Sequence, residues 1–365
     1  MQINNNSEFI KAVTIGSSMA GKNKTIPILE YAKVTFKQNR IIVSSYDSES
    51  AITKVYHNSN GATDNVSFCI SHNDFLGVLK ALNDQVIDID VNDKNVQIKH
   101  SNGVITLPIF NAEEYPTPAV EKEVKTYDIS SELLFNVLKE AKNFVGRDEI
   151  RPVMTGVRLL FNDNTMTVSS TDAHVLYNNV FENKGDEQSE CILSSSIIPT
   201  VMSILQSTET TNVSIGQKNI IFKTDDCKVI ARVIEGRYPN VNAVIPTSHS
   251  TTVKVTKKDF VSTLNRAMIT ASKATTMVKL NIKDGMMEVE TEDIDYAKSS
   301  KEKVKVNVEG NDILIGLNCK MLLTCIDNIE SEEITMEMSA PNRAVVLKDN
   351  QNESKTVLIM PVMIQ

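Results

Sequence analysis

Asp172 and His174 stand one residue apart in Thr171-Asp172-Ala173-His174-Val175-Leu176 and could pair as acid and base. On a strand that spacing puts carboxylate and imidazole on one face, which suits proton transfer in an interdomain cleft. Polar residues closing a strand more often tie down a turn by bonding its backbone. No surrounding motif supports the catalytic reading. The chain has no G-x-S-x-G, no H-E-x-x-H, no G-x-x-x-x-G-K-S/T and no G-x-G-x-x-G. His57, His72, His100 and His249 are scattered among polar residues. They give Cys69, Cys191, Cys227, Cys319 and Cys325 no two-plus-two zinc spacing, so neither metal nor cofactor is expected. The odd cysteine count and the lack of C-x-x-C predict reduced, buried thiols in a cytoplasmic protein. The first residues lack the basic and apolar segments of a signal peptide, and no apolar run approaches the ~18 residues that span a bilayer.

Charge offers a second chemistry. The formal net charge is −8 over 365 residues. In and just beyond the helical segments stand Lys11, Lys80, Lys139, Lys142, Arg147, Lys257, Lys258, Arg266, Lys273 and Lys320. Against these ten are six acids, Glu8, Asp74, Glu132, Glu140, Asp259 and Asp327, an excess of +4 that leaves −12 elsewhere. Such a split fits ordinary solvated helix faces, or a basic lining behind an acidic exterior. Met336, Met338, Met360 and Met363 near the carboxyl end are either core filler or an adaptable apolar surface for peptides.

The elements that must carry these groups recur. Arg151–Leu176 holds an alternating run (Val153, Thr155, Val157, Leu159), a turn at Asn162-Asp163-Asn164 and a second run ending in Ser169-Ser170-Thr171-Asp172. Weaker copies occupy 28–47 and 277–293. Opening strands begin near residues 2, 126 and 252, and Tyr115-Pro116 returns as Tyr238-Pro239. Capping boxes are expected at Ser71–Asp74 and Thr256–Asp259. A period this long exceeds the ~20–50 residues of a solenoid repeat and predicts tandem domains. Each copy has a strand, a helix, a run of strands, a second helix and three more strands. That pattern is α+β with antiparallel sheets, in three repeats covering 1–122, 123–248 and 249–365.

Several short segments, in this order, resemble the bacterial DNA polymerase III beta subunit, the sliding clamp. They are Thr25-Ile26-Pro27-Ile28-Leu29, Arg151-Pro152-Val153-Met154-Thr155-Gly156-Val157, Thr171 to Leu176, Glu235-Gly236-Arg237-Tyr238-Pro239 and Met360-Pro361-Val362. The resemblance covers essentially the whole chain. It implies a head-to-tail homodimer forming a six-domain ring, with sheets outside and two helices per domain inside. Double-stranded DNA would pass through without sequence readout. The DNA polymerase III catalytic subunit, the clamp loader and other proteins with a clamp-binding motif would be partners. No reaction and no membrane are implied, and the setting is the cytoplasm, at the nucleoid.

Carried over by position, the partner-peptide cleft is Met154, Thr171, Ala173, His174, Val175, Leu176, Pro239, Val244, Met360, Pro361, Val362 and Met363. The family often has Arg where Val175 stands, a basic residue near Ala243, and Arg-Leu at the terminus where this chain has Met363-Ile364-Gln365. A more apolar cleft with altered peptide preference is expected. The DNA-binding residues implied are Lys22, Lys24, Arg147 and Arg151, joined by Lys139, Lys142 and Arg266 from the helices; Asn23 and Pro152 replace residues that often make the contact. For the dimer, Ile105 and Leu107 are expected opposite Met268 and Ile269, with Lys94 and Lys99 facing Glu288 and Glu290. The rival readings are an enzyme using Asp172 and His174, and a scaffold of three α+β modules that binds no DNA.

Overall fold

The computed structural model describes residues 1–58, 65–82, 84–148, 150–183 and 188–364. The first repeat runs β1 (Gln2–Asn5), α1 (Ser7–Gly16), β2 (Tyr31–Lys37), β3 (Arg40–Tyr46), β4 (Ser50–His57), β5 (Val66–Ser71), α2 (His72–Ala81), β6 (Gln85–Val91), β7 (Asn95–His100) and β8 (Gly103–Asn111). The second runs β9 (Lys125–Ser130), α3 (Ser131–Ala141), β10 (Gly156–Asn162), β11 (Thr165–Thr171), β12 (Val175–Glu182), β13 (Ser189–Ser194), α4 (Ile198–Leu205), β14 (Thr210–Ile215), β15 (Asn219–Lys223) and β16 (Cys227–Arg232). The third runs β17 (Thr251–Thr256), α5 (Lys257–Thr270), β18 (Met277–Lys283), β19 (Met286–Asp293), β20 (Lys298–Lys305), β21 (Asn307–Gly310), β22 (Ile313–Asn318), α6 (Cys319–Asp327), β23 (Glu333–Met338), β24 (Val345–Asp349) and β25 (Asn352–Ile359). The chain is thus α+β in three tandem repeats.

Among the described residues the strands form antiparallel sheets of 12, 9 and 4 strands. The chain divides into two compact units, Met1–Asn136 with Ser196–Ile234, and Val137–Ser195 with Glu235–Gln365. The 12-stranded sheet lies in the first, where β4 pairs with β16. The other two sheets lie in the second, where β12 pairs with β25. Period-2 burial fixes the registers. In β6, for example, Ile87 and Ile89 are buried while Asp88 and Asp90 face solvent.

One side chain at the same place in each repeat ties the first helix to its sheet. Ser45 Oγ donates to Gly16 O (2.7 Å), Ser170 Oγ to Ala141 O (2.6 Å) and Thr291 Oγ1 to Ala267 O (3.0 Å). These carbonyls lie at helix ends, where the regular ladder runs out; Ala267 O also accepts from Ala271 N at 3.1 Å. The acceptors are all small because the helix lies close to the strand. A Cβ on Gly16 would sit 2.6 Å from Val43 Cβ. Ser170→Ala should therefore cost about 0.5–1.5 kcal/mol, the net worth of one intramolecular hydrogen bond, read as a lower urea midpoint at unchanged slope.

Some expectations shift. The alternation of Val153 and Thr155 is not strand. Pro152–Thr155 is a 3-10 turn and β10 starts at Gly156, because Pro152 fixes φ and lacks an N–H. Thr256 makes no side-chain cap; instead Lys257 N donates to Glu332 O (2.8 Å). Ser71 Oγ does accept from Asp74 N, at 3.4 Å. Among the described residues no helix is long and apolar enough to cross a membrane. The five thiols are free and buried, and burial pushes Cys69 and Cys319 up to about 11.

Candidate functional site

The β11–β12 turn is built by Asp172. Its Oδ1 accepts from His174 N and Val175 N, both at 2.8 Å, and Ala173 takes φ 78°. Thr171 Oγ1 donates to Val175 O (2.6 Å) and accepts from Ala173 N (3.0 Å). Asp47 makes the same turn in the first repeat, accepting from Glu49 N and Ser50 N. The Asp172 carboxylate is thus committed to backbone amides, and its repetition in a second repeat marks it as structural. This removes the geometric basis for an acid–base pair with His174.

The turn presents Ala173 and His174 to solvent over buried Thr171, Val175 and Leu176. The carboxyl-terminal segment runs beside it. Met360 N donates to His174 O (2.7 Å), and Val362 N to Gly316 O (2.9 Å). Met363 is 81% exposed, and Met360 and Val244 are also exposed. Pro361 and Val362 are half-buried, and Gln365 lies outside the described residues. Met336 and Met338, by contrast, are core. Half-buried Met154 accepts from Gly146 N at 2.7 Å. Pro239 follows Tyr238, whose phenol is pushed up by burial against the backbone of Thr171, with that amide and Arg158 opposing. The exposed members of the set are apolar except for His174. Beside Pro239 a cleft of about 270 Å³ is walled by Arg158, Leu160, Glu190, Arg237 and Asn242. Arg158 was not singled out in the sequence, and Arg237 stood there only within Glu235–Pro239, without a site role. Arg158 lies 5.9 Å from the Tyr238 ring and 2.9 Å from Glu190 Oε1.

The basic residues differ in freedom. Lys22, Lys24, Lys139, Lys142 and Arg147 form no ion pair among the described residues. Lys22 and Lys24 line an open depression shared with Asp47 and Glu49, and Asn23 Nδ2 anchors the loop by donating to Ser48 Oγ (2.9 Å). Arg151 stands 3.8 Å from Asp148. Arg266 is occupied: its guanidinium bonds both oxygens of Glu302, which holds that carboxyl below the usual range. Lys11 and Lys80 flank Ile10 and Thr14 in a depression along α1 and α2.

Of the expected dimer residues, only Ile105 and Leu107 lie along an open sheet edge. Ile105 and Leu107 are half-buried on β8, and Ile269, at 74% exposure, projects from α5 beside half-buried Met268. The expected charges are already matched within their own sheets. Lys99 pairs with Asp90 (3.4 Å); Glu288 and Glu290 on β19 pair with Lys301 on β20 (2.7 and 2.5 Å). The Lys301 hydrogen bond holds Glu288 below its ordinary range. β20 lies between these acids and the open edge, so that edge presents lysines rather than glutamates; Lys94 is exposed with no ion pair among the described residues.

Family profiles match nearly the whole length in order. They are the DNA polymerase III beta subunit N-terminal domain over residues 1–119, its central domain over 128–240 and its C-terminal domain over 242–363. The chain is 25% identical over 369 residues to a beta sliding clamp of Halalkalibacterium halodurans, covering 97% of each. It is 24% identical over 350 residues to one of Staphylococcus epidermidis, covering 93% of this chain and 92% of that one. Its fold matches the Pseudomonas aeruginosa DNA polymerase III subunit beta with TM-score 0.95 at 18% identity, covering 100% of both chains. It matches a Bacillus subtilis DNA polymerase sliding clamp with TM-score 0.93 at 20% identity, covering 100% of this chain and 99% of that one.

Proposed function

This chain belongs to the DNA polymerase III beta subunit family, and from that membership we propose that it is a DNA sliding clamp, a processivity factor encircling duplex DNA as a head-to-tail homodimer. One observation carries the reading. β4 of the first repeat pairs with β16 at the end of the second, and β12 of the second pairs with β25 at the end of the third. β20 and residues 103–108 of β8 are the strands left at those positions, each with one edge unpaired among the described residues. An unpaired edge is a template for another chain. Joining β20 of one copy to β8 of a second repeats the contact that the chain makes twice internally, and a heterologous contact of this kind yields a closed ring if its rotation closes.

Lys22, Lys24, Lys139, Lys142, Arg147 and Arg151 are the groups we assign to DNA phosphates, acting without sequence readout. Arg266, bound to Glu302, contributes less. The catalytic subunit of DNA polymerase III, the clamp loader and other proteins with a clamp-binding motif would insert an apolar peptide between His174, Val244, Met360 and Met363, against Met154, Pro239 and Pro361. Such a tether raises a polymerase's effective concentration at the primer end. With Val175 buried and Ala243 uncharged, neutral peptides should rank above acid-flanked ones. The protein catalyses no reaction, acts in the cytoplasm at the nucleoid, and has repeat limits at 122/123 and 248/249.

The test is topological. Loaded by a bacterial clamp loader onto nicked circular DNA, the protein should stay bound in high salt and be lost when the circle is linearised. Equal retention on circular and linear DNA would mean that it holds DNA by surface contacts alone.

A further inference from the structure

The two boundaries inside the chain set the register of the one proposed between copies, and this inference rests on that dimer reading. At the first, Ser50 faces Ala231 and Ile52 faces Val229; at the second, Val175 faces Ile359 and Tyr177 faces Val357. The repeats align on Ser45, Ser170 and Thr291, which face Ile52, Tyr177 and Ser300 in their hairpins. On the other side Ala231, Ile359 and Leu107 correspond, facing Ile220, Val345 and Val96. Carried to the third boundary, Lys298 faces the partner's Leu107, Ser300 the partner's Ile105 and Glu302 the partner's Gly103.

Both internal ladders are closed at the same end by one further bond. Arg232 N donates to Glu49 O (3.0 Å), and Met360 N donates to His174 O (2.7 Å). The corresponding acceptor is Ala297 O, and the corresponding donor position is residue 108, which is proline. The side on which that donor is missing can be read from β8 itself. Ile109 N donates to Lys94 O (3.1 Å), so residue 109 points toward β7. Alternation then turns 104, 106 and 108 toward the open edge. Proline has no N–H and is tolerated on an edge strand because that side is unpaired. In a lone subunit it also blunts the edge against unwanted pairing.

We propose that Pro108 leaves the boundary between copies one backbone hydrogen bond short of the two boundaries within the chain, and so weakens it. Having no linker across it, this boundary is held by the ladder and side chains alone. The missing bond sits at the end of the ladder beside the Asp293–Lys298 connection, where exposed Ile294 and Tyr296 replace the tight turns of the other repeats.

The experiment measures dimer dissociation of the full chain by dilution and sedimentation, with thermal unfolding alongside. Pro108→Ala and Pro108→Ser restore the donor and should tighten the dimer and slow its dissociation roughly three- to tenfold, the range of one net backbone hydrogen bond. Thermal unfolding of the subunit should not improve, since removing proline frees the unfolded chain. A Ser300→Cys/Ile105→Cys pair should cross-link copies, because residues facing across a non-hydrogen-bonded pair approach to about 4.5 Å between Cα atoms. The five native thiols are buried and should not compete. A dimer that cross-links in this register but is not tightened by either substitution overturns the role of Pro108 alone. Cross-linking only through Thr106→Cys instead overturns the register. A chain that stays monomeric at every concentration, with no cross-link, overturns the dimer reading and this inference with it.

Discussion

Lys355→Ala should lower the free energy of unfolding by about 3–5 kcal/mol, the cost of stripping one partner from a buried ionic cluster. Lys355 is 1% exposed. Its ammonium lies 3.0 Å from Glu140, 3.1 Å from Glu330 and 3.7 Å from Asp349, and donates to Asn328 O (3.3 Å). Glu140 also accepts from Tyr177 Oη at 2.8 Å, so the cluster joins α3 and β12 of the second repeat to β25 of the third. Removing the lysine leaves the fully buried Asp349 carboxylate without its countercharge, held by backbone amides alone. Lys355→Met should cost nearly as much, because it restores volume without charge.

The pH dependence has a definite sign. Burial alone would lower the Lys355 pKa, but Glu140 and Glu330 outweigh it and the net shift is upward. Its contribution is therefore complete below the unfolded value of about 10.4 and is lost as pH rises through the folded one. Burial alone would raise Asp349, but the amides of Glu330, Gln351 and Ser331, together with Lys355, hold it down. Its contribution is present above about pH 4 and is lost as pH falls through the folded value. Urea unfolding should show the same large gap between variant and wild type from about pH 4 to pH 10, narrowing only below about pH 4 or above the folded Lys355 value. A loss under about 1 kcal/mol at pH 7 would mean that water reaches the cluster.

The second large effect is on peptide binding. Gly316 lies on β22 beneath the carboxyl-terminal segment. A Cβ there would come within 2.8 Å of Val362 O and 2.9 Å of Ile364 Cγ1. Gly316→Val should lift Met360–Met363 off the sheet and break the Val362 N to Gly316 O bond. Partner peptides should then bind at least tenfold more weakly, about 1.4 kcal/mol. β22 keeps its ladder with β18, so unfolding should move by only a few degrees. Titration of a labelled clamp-binding peptide reads the effect; unchanged affinity would place the peptide elsewhere. The same variant should still form dimers, since neither β8 nor β20 is touched.

What the sequence disclosed and what it hid follow from burial. Period-2 alternation survives where one face is wet, so β2, β3, β6 and β7 were legible. β12 was not, because Val175, Tyr177 and Asn179 are buried along with Leu176 and Asn178 on its other face, leaving no alternation to detect. β20 was missed for the opposite reason. Lys-Ser-Ser-Lys-Glu-Lys-Val-Lys looks like a solvated charge run, and only Val304 is buried. The repeat was legible from its opening strands and its Tyr-Pro pairs, while the bonds of Ser45, Ser170 and Thr291 to helix ends depend on contacts no spacing rule contains. For the site, the Asp172 turn was legible as a turn. That Lys301 would claim Glu288 and Glu290 was not, since the strand bringing it there was itself invisible.

The junctions between repeats have one more implication. Repeats one and two meet along β4 and β16, and repeats two and three along β12 and β25, whereas the connecting segments around 117–124 and 245–250 belong to no ladder for most of their length. Covalent continuity is therefore almost incidental to how neighbouring repeats recognise one another. A chain cut in either connection keeps both ladders between repeats. If the proposed dimer forms as argued, fragments from a gene split at those points should reassemble by the same strand pairing, so that dimer, nicked monomer and split protein would be three versions of one assembly.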